Sequence, residues 1–160
     1  MNKKSDFYKA LKWLTDVLSH LHISYQIVGG LAAKCYGSTR PLHDIDLYVP
    51  GKDFSKLENE LIEYIEFGPK YHKDEHWDLD FMKLNYDGQE IEIGDADHTR
   101  YFDSQSCQWI KEEINFSGSN IIEFEGITLP VMPKQDLIKY KQRLNRKVDR
   151  IDIEEMQNEV

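Results

Sequence analysis

The chain has 160 residues, of which 40% are hydrophobic, 31% charged and 12% aromatic. This length and composition predict one domain with a buried core, and they exclude a disordered or low-complexity protein. The formal net charge of −9 speaks against a protein whose main task is to bind a nucleic acid backbone, because such proteins carry a basic footprint.

Membrane, export and cysteine-based metal signals are missing from the sequence. No apolar run approaches the roughly 18 residues that a membrane helix needs, and the first six residues lead into an amphipathic stretch rather than a signal-peptide core. Cys35 and Cys107 lie far apart without a CxxC spacing, so we expect buried thiols and no zinc or disulfide framework. These features predict a cytoplasmic protein with no membrane association.

The first half of the chain alternates helical and extended patterns. Apolar spacing and turn residues predict a helix, a strand, a helix, a strand and a helix, over residues 6–21, 23–28, 31–36, 44–49 and 53–66. Ser5-Asp6 offers an N-cap to the first helix, and Gly68-Pro69 ends the last. Gly29-Gly30 therefore lies where a strand turns into a helix.

The second half predicts two hairpins and two helices. Residues 78–86 and 89–93 pair around Asp87-Gly88, and residues 121–131 turn near Glu125-Gly126. Pro133 opens a helix toward Arg146, and residues 148–156 form the last helix. The predicted fold is α+β, a small mixed sheet with helices packed on it, in a single domain over residues 1–160 with a C-terminal helical segment over residues 132–160.

Two carboxylates on one strand form the first candidate site. The period of two puts Asp44 and Asp46 on the same face, with Ile45 opposite in the core. Their repulsion is unfavourable unless a divalent cation neutralises it, although an exposed strand end explains most Asp-x-Asp pairs. Glu92 supplies a third acid for a two-metal site if its strand pairs beside Asp44 and Asp46; Glu90 shares its face.

Glycines and a loop cation precede these acids. The missing side chains of Gly29-Gly30 let a phosphate approach the backbone, and Arg40 lies in the loop between the glycines and Asp44. This order suits a nucleoside triphosphate bound through Mg²⁺.

Charge is unevenly distributed along the chain. The segment from Lys134 to Arg150 has seven basic and two acidic residues, and the remainder carries a formal charge of −14. The asymmetry favours either a cationic substrate or carboxylates that hold metal opposite a basic segment that faces phosphates; a solvated helix face is the plainer interpretation.

Two further groups of residues, one polar and one aromatic, are candidates for a role in a site. His72 and His76 resemble a metal pair by spacing, but Gly68-Pro69 precedes them, so we predict a mobile polar loop over residues 71–77. Four aromatic residues are candidates for stacking a base or lining an acceptor pocket, although most aromatic residues of such a domain belong to the core: Trp77, Tyr101, Phe102 and Trp109.

The motifs together resemble the nucleotidyltransferase superfamily, which has a polymerase beta-like fold. The resemblance covers about residues 25–155 and is strongest to small lincosamide and aminoglycoside nucleotidyltransferases and to uncharacterised bacterial relatives. It rests on the following residues: Ile27-Val28-Gly29-Gly30, Arg40, His43, Asp44-Ile45-Asp46-Leu47, Glu90-Ile91-Glu92, and a tail of Leu137 to Lys141 followed by Arg146, Asp149 and Asp152.

The resemblance implies transfer of a nucleoside monophosphate from a triphosphate to a hydroxyl of a small-molecule acceptor, such as an antibiotic, with release of pyrophosphate. It implies that Asp44, Asp46 and Glu92 are catalytic and hold two Mg²⁺ ions. The triphosphate would be bound by four residues: Gly29, Gly30, Arg40 and Lys141.

The third acid departs from the superfamily's pattern, because that acid is more often Asp. Glu90, Asp95 and Asp97 therefore remain alternatives to Glu92. The alternative functions are a non-catalytic nucleotide-binding antitoxin or regulator with a toxin partner, and a transferase that acts on a protein or an RNA end.

Overall fold

The computed structural model describes residues 3–158. Within them, the α-helices are α1 (Lys3–His20), α2 (Gly29–Cys35), α3 (Phe54–Leu61), α4 (Lys134–Leu144) and α5 (Lys147–Asn158). The strands are β1 (Gln26–Val28), β2 (Asp44–Val49), β3 (Ile65–Lys73), β4 (Trp77–Tyr86), β5 (Gln89–Asp103), β6 (Gln108–Lys111), β7 (Asn120–Phe124) and β8 (Ile127–Val131).

The strands form one mixed sheet in the order β3-β4-β5-β2-β1-β8-β7, and β6 pairs with the far end of β5. The pairs β2–β5 and β1–β8 are parallel, whereas the other pairs are antiparallel. The prediction of an α+β fold with helices on a mixed sheet is confirmed. None of the described helices is both long and apolar enough to cross a bilayer.

The core lies between the sheet and the helices that cover it. Leu14 of α1 and Leu31 of α2 are fully buried, as are Ile45 of β2 and Ile93 of β5. Strand β2 alternates as predicted, since Ile45 and Leu47 enter the core while its two aspartates face the other way. Burial of one face therefore fixes which residues the other face presents.

Both hairpins turn where the sequence predicts. Asp87 and Gly88 have φ angles of +48° and +91°, and Glu125 and Gly126 have +51° and +82°, so each two-residue turn uses the left-handed region that tight hairpins need. Strand β5 continues to Asp103, well beyond the predicted end of its hairpin at residue 93. The continuation pairs with β4 on one side and β6 on the other.

The prediction of a polar loop over residues 71–77 is wrong for most of that range, because residues 71–73 belong to β3, Trp77 begins β4, and residues 74–76 connect the two strands. Helix α3 ends at Leu61 rather than near residue 66, and strand β3 pairs with β4 as far as Lys73. Gly68-Pro69 lies inside β3, at a break in its register. An edge strand tolerates this proline because the missing N–H is not needed by a further strand.

Three smaller predictions also need correction. Helix α1 begins at Lys3, so Ser5-Asp6 lies inside its first turns and not at the N-cap. Strand β1 is shorter than residues 23–28 because Ile23 N–H still bonds to the Leu18 carbonyl at the end of α1. Cys107 is exposed in the turn between β5 and β6, whereas Cys35 is half-buried.

The core assignment predicts a contrast between two isoleucines. Ile45 is fully buried, so Ile45→Ala should lower the free energy of unfolding by about 2–5 kcal/mol. Ile121 is 68% exposed on the edge strand β7, so Ile121→Ala should change it by less than about 0.5 kcal/mol. Urea denaturation of both variants measures the difference, and equal losses would contradict the assignment.

Candidate active site

Parallel pairing of β2 with β5 brings the predicted acids together. Asp44 lies opposite Glu90, and Asp46 lies opposite Glu92. Ligand oxygens of Asp44, Asp46 and Glu92 all lie within 4.8 Å of one another. The condition set by the sequence, that the hairpin strand pairs beside the Asp-x-Asp strand, is therefore met.

These three carboxyl groups are held together without enough compensating charge. Burial, followed by the charges of Asp44 and Glu92, raises the pKa of Asp46 well above its ordinary value. Burial also raises the pKa of Asp44 and of Glu92, and in each case a neighbouring carboxylate raises it further. Asp46 Oδ1 is buried and has no hydrogen-bond partner among the described residues. A hard divalent cation fits this donor set, because it would bind the free oxygen and offset the repulsion.

The glycine turn lies directly against the acids. Gly29 has a φ of +65°, and a Cβ placed there would lie 2.5 Å from Asp46 Oδ2. A Cβ on Gly30 would lie 3.3 Å from Nη2 of Arg40. Position 29 therefore needs glycine for its conformation and for the space that Asp46 occupies.

Lys141, the predicted cation of the tail, is buried in an ion-pair network. Its Nζ lies 3.4 Å from Asp149 Oδ1 and 3.1 Å from Asp152 Oδ2. Arg40 donates to the same Asp152, with Nη2 to Oδ2 at 2.9 Å and Nε to Oδ1 at 3.1 Å. Both predicted phosphate-binding cations are thus held in place by carboxylates of α5.

Arg146 is a cavity residue that the sequence placed only in the tail pattern. Its Nε lies 2.7 Å from Asp149 Oδ2 and its Nη2 lies 3.0 Å from Asp149 Oδ1.

The pKa of Asp152 reflects its cationic partners. Burial by itself would raise this pKa, but the hydrogen bond from Arg40 and the charge of Lys141 outweigh burial, so the pKa is lowered. Asp149 and Asp152 are positioning residues that orient the cations around the cavity.

A cavity of about 420 Å³ joins these groups. Its volume is typical of a small-molecule site. The clustered carboxylates, the glycines at the start of α2, cations from the loop before β2 and from the C-terminal helical segment, and apolar side chains of β4 all line it, and the Trp77 ring of β4 lies against Tyr140 and the Arg146 guanidinium. The lining residues include Gly29, Asp46, Trp77, Phe81, Glu92 and Lys141.

The alternative third acids lie elsewhere or have other partners. Glu90 Oε1 lies 2.6 Å from Nζ of Lys83. Asp97 Oδ2 accepts the Gly51 N–H at 3.0 Å, and Asp95 Oδ2 lies 2.9 Å from Nδ1 of His98. Among these acids, Glu92 is the one whose oxygen lies in the cluster with Asp44 and Asp46.

One of the four candidate aromatic residues reaches the cavity. Trp77 lines it, whereas Tyr101 is buried in the core at 2% exposure. Phe102 and Trp109 contact each other, with ring centroids 5.5 Å apart. The lining residues that the sequence did not single out include Leu79 and Phe81 of β4, whose apolar pattern resembles that of ordinary core residues, and Tyr140 of α4 was named only within the tail pattern.

Solved structures share the whole fold of the chain. A candidate nucleotidyltransferase from Thermotoga maritima matches with a TM-score of 0.74 at 19% identity, over 100% of this chain and 97% of that one. The lincosamide antibiotic adenylyltransferase LnuA, solved with lincomycin, matches with 0.59 at 15% identity, over 94% and 96% of the two chains. ANT(2")-Ia, solved with adenylyl-2"-tobramycin, matches with 0.60 at 14% identity, over 92% and 86%.

These similarities establish a nucleotidyltransferase fold. No protein-family model matches the chain, and no curated protein matches it. At identities of 14% to 19% the comparisons define the architecture, and the chemistry must be argued from the residues of the cavity.

The contact between Gly29 and Asp46 predicts two separable effects of a methyl group. Gly29→Ala should lose about 1–2 kcal/mol of stability through its left-handed backbone, and it should also weaken Mg²⁺ binding because the Cβ displaces the Asp46 carboxylate. Gly88→Ala is the matched control, since Gly88 has a φ of +91° with no atom within 4 Å of the added Cβ. Urea denaturation measures the loss of stability, and calorimetric titration measures Mg²⁺ binding. Equal Mg²⁺ affinities of Gly29→Ala and Gly88→Ala would contradict the prediction.

The ion-pair network predicts a pH-dependent loss of stability. Asp152→Asn should cost roughly 3 kcal/mol at neutral pH, because Lys141 and Arg40 lose a buried partner. The folded pKa of Asp152 lies below its unfolded value of about 3.9, so its contribution is lost as the pH falls through the folded pKa. The gap between wild type and variant should therefore narrow below about pH 4.

Urea denaturation at several pH values measures this gap. Asp16→Asn is the control, because Asp16 and its partner Lys12 form an exposed pair on α1, and its effect should be much smaller. A constant gap from neutral to acid pH would show that the charge of Asp152 is not what stabilises the fold.

Proposed function

We propose that the protein transfers a nucleoside monophosphate from a nucleoside triphosphate to a hydroxyl of a small-molecule acceptor, with Mg²⁺ and release of pyrophosphate. The observation that carries this proposal is the convergence of Asp44, Asp46 and Glu92, with a buried unpartnered oxygen, directly beside Gly29. The nucleotidyltransferase fold supports the same reaction class.

The three acids would hold the metal. Asp44, Asp46 and Glu92 supply carboxylate oxygens, the ligands that Mg²⁺ prefers. When bound, divalent cations supply charge neutralisation at the phosphates and activation of the attacking oxygen. The task of β2 and β5 is to hold three like charges at one place before any substrate arrives.

The triphosphate would lie on the β1 side of the acids. Gly29 and Gly30 leave the backbone open to a phosphate, because neither carries a side chain above the turn. Arg40 and Lys141 line the same part of the cavity, and their partner Asp152 fixes their positions. Oriented positive charge offsets the charge that develops on the leaving pyrophosphate.

The acceptor hydroxyl would approach from the other side. Glu92 lies on β5, which adjoins β2 on the side away from β1 and Gly29. A carboxylate there can accept the hydroxyl proton as a general base or orient the attacking oxygen. In-line displacement at a phosphorus atom places the attacking and leaving oxygens on opposite sides, which suits this arrangement.

A direct assay tests the proposal. Pyrophosphate release is measured with Mg²⁺, each of the four ribonucleoside triphosphates and a panel of hydroxyl acceptors, and nucleotide binding is measured separately by calorimetry. Mg²⁺-dependent release with one nucleotide is the expected result. Tight nucleotide binding without release would favour the non-catalytic regulator, and no binding with or without Mg²⁺ would contradict both interpretations.

Substitution of the acids should separate their roles. Asp46→Asn should abolish transfer while the fold remains at least as stable, because it removes a ligand charge and also relieves repulsion. Glu92→Gln should lower the rate by roughly 10²–10⁴ with little change in nucleotide affinity. Glu90→Gln is the matched control on the same strand face and should have a much smaller effect.

Turnover and thermal unfolding of the three variants provide the measurement. Wild-type turnover in Asp46→Asn would refute the metal assignment. If Glu90→Gln loses more turnover than Glu92→Gln, the third acid is Glu90, two residues earlier on β5.

A further inference from the structure

The cavity has an apolar wall on the side away from the glycines. Trp77, Leu79 and Phe81 alternate along β4, and all three line the cavity. Each is half-buried, so each leaves part of its surface open to the cavity. The pairing of β4 with β5 changes register between Leu79 and Phe81, and all three side chains still line the cavity.

The wall begins next to the third acid. Phe81 lies opposite Gly94, two residues beyond Glu92 on β5. A Cβ on Gly94 would lie 2.6 Å from the ring of Tyr48. The Tyr48 ring therefore occupies the space that a side chain at position 94 would take. Strand β4 lies beyond β5, and Gly29 follows β1 on the other side of β2. The wall therefore faces the side from which the proposed function requires the acceptor hydroxyl.

Aromatic neighbours make this wall rigid. The ring of Phe81 lies 5.1 Å from that of Phe67 and 5.6 Å from that of His72. Trp77 lies 5.7 Å from Tyr140, and the Arg146 guanidinium lies over the Trp77 ring at 5.8 Å. Rings fixed in this way offer contact area without a large loss of side-chain entropy on binding.

The charges around the wall do not suit an amine. Asp74 is the one cavity-lining carboxylate on this side among the described residues, and its oxygens already accept from His72 Nε2 at 3.1 Å and from the N–H groups of His76 and Trp77 at 2.8 Å. Arg40, Lys141 and Arg146 line the same cavity, whereas Asp149 and Asp152, the carboxylates that pair with them, are fully buried behind it. A polycationic acceptor would meet cations and no free carboxylate beyond those proposed to hold metal.

We infer that the acceptor is an uncharged hydroxyl compound with an aromatic or alkyl face, and that Trp77, Leu79 and Phe81 receive that face. The inference rests on the proposed function, because it assigns the acceptor side of the same site. It differs from the cationic substrate that was one of the two interpretations of the uneven charge distribution, because it follows the local lining of the cavity.

Two glucosides with the same sugar hydroxyls test the inference. Phenyl β-D-glucoside carries an apolar ring, and 2-aminoethyl β-D-glucoside carries a cation. Binding of each to the full chain is measured by calorimetry, in Mg²⁺ with and without a non-hydrolysable ATP analogue. Phenyl β-D-glucoside should bind at least about 10-fold more tightly, because its ring is buried against the wall. Equal binding, tighter binding of the amine, or no binding of the phenyl compound would overturn the inference.

Variants of the wall locate the contact. Phe81→Ala and Trp77→Ala should each weaken phenyl β-D-glucoside binding at least about 5-fold and leave the affinity for the ATP analogue unchanged. Leu79→Glu should shift the preference toward the aminoethyl compound. Tyr71→Ala is the control, because Tyr71 is 56% exposed on the neighbouring strand β3 and does not line the cavity. Thermal unfolding shows which variants fold, and three substitutions on one wall keep the test valid if one does not.

The outcomes separate this inference from the proposed function. If Trp77→Ala and Phe81→Ala weaken the ATP analogue as much as the glucoside, the wall holds the base and the inference is wrong. If the analogue never binds but the phenyl preference persists and depends on Phe81, the wall is correctly assigned and the nucleotide half of the proposed function fails. Loss of the preference with intact nucleotide binding refutes the inference alone.

Discussion

The parallel pairing of β2 with β5 is the constraint on which the rest of the site depends. In this register Asp46 lies beside Glu92, and the alternation of each strand sends Ile45 and Ile93 into the core on the opposite face. A slip of either strand by one residue would turn that strand's hydrophobic side chains toward the cavity. The energy of the core therefore holds the carboxylates together against their own repulsion.

A second constraint comes from the buried network at the C-terminal helices. Lys141 is 1% exposed, and its partners Asp149 and Asp152 are fully buried, so α5 is fixed to α4 by ion pairs rather than by apolar packing alone. Asp152 also accepts from Arg40 in the loop before β2. The same carboxylate thus connects the loop, both helices and the cavity, and it orients the cations before a phosphate is present.

Net charge and local charge lead to different conclusions about the substrate. The chain carries −9 overall, yet its basic residues Arg40, Lys141 and Arg146 line the cavity. Three of the four carboxylates that line the cavity are clustered on β2 and β5, and the side chains that β4 contributes are apolar. The net charge of 160 residues says little about a site formed by about twenty of them, because exposed charges are screened over roughly 8 Å in physiological salt.

Local patterns in the sequence were enough to determine the glycines at the junction of β1 and α2, the alternation of Asp44 and Asp46 on β2, and the hairpin at Asp87-Gly88. Each of these features depends on residues close together in the chain. Tertiary structure decided what local patterns leave open. Strand β3 forms because it pairs with β4. The sequence did not predict it, because Gly68-Pro69 in its middle is typical of a helix end followed by a loop. Strand register brings Glu92, rather than Glu90, Asp95 or Asp97, into the cluster, and α5 determines the partners of Lys141. These choices depend on contacts between segments far apart in sequence, and no local periodicity encodes them.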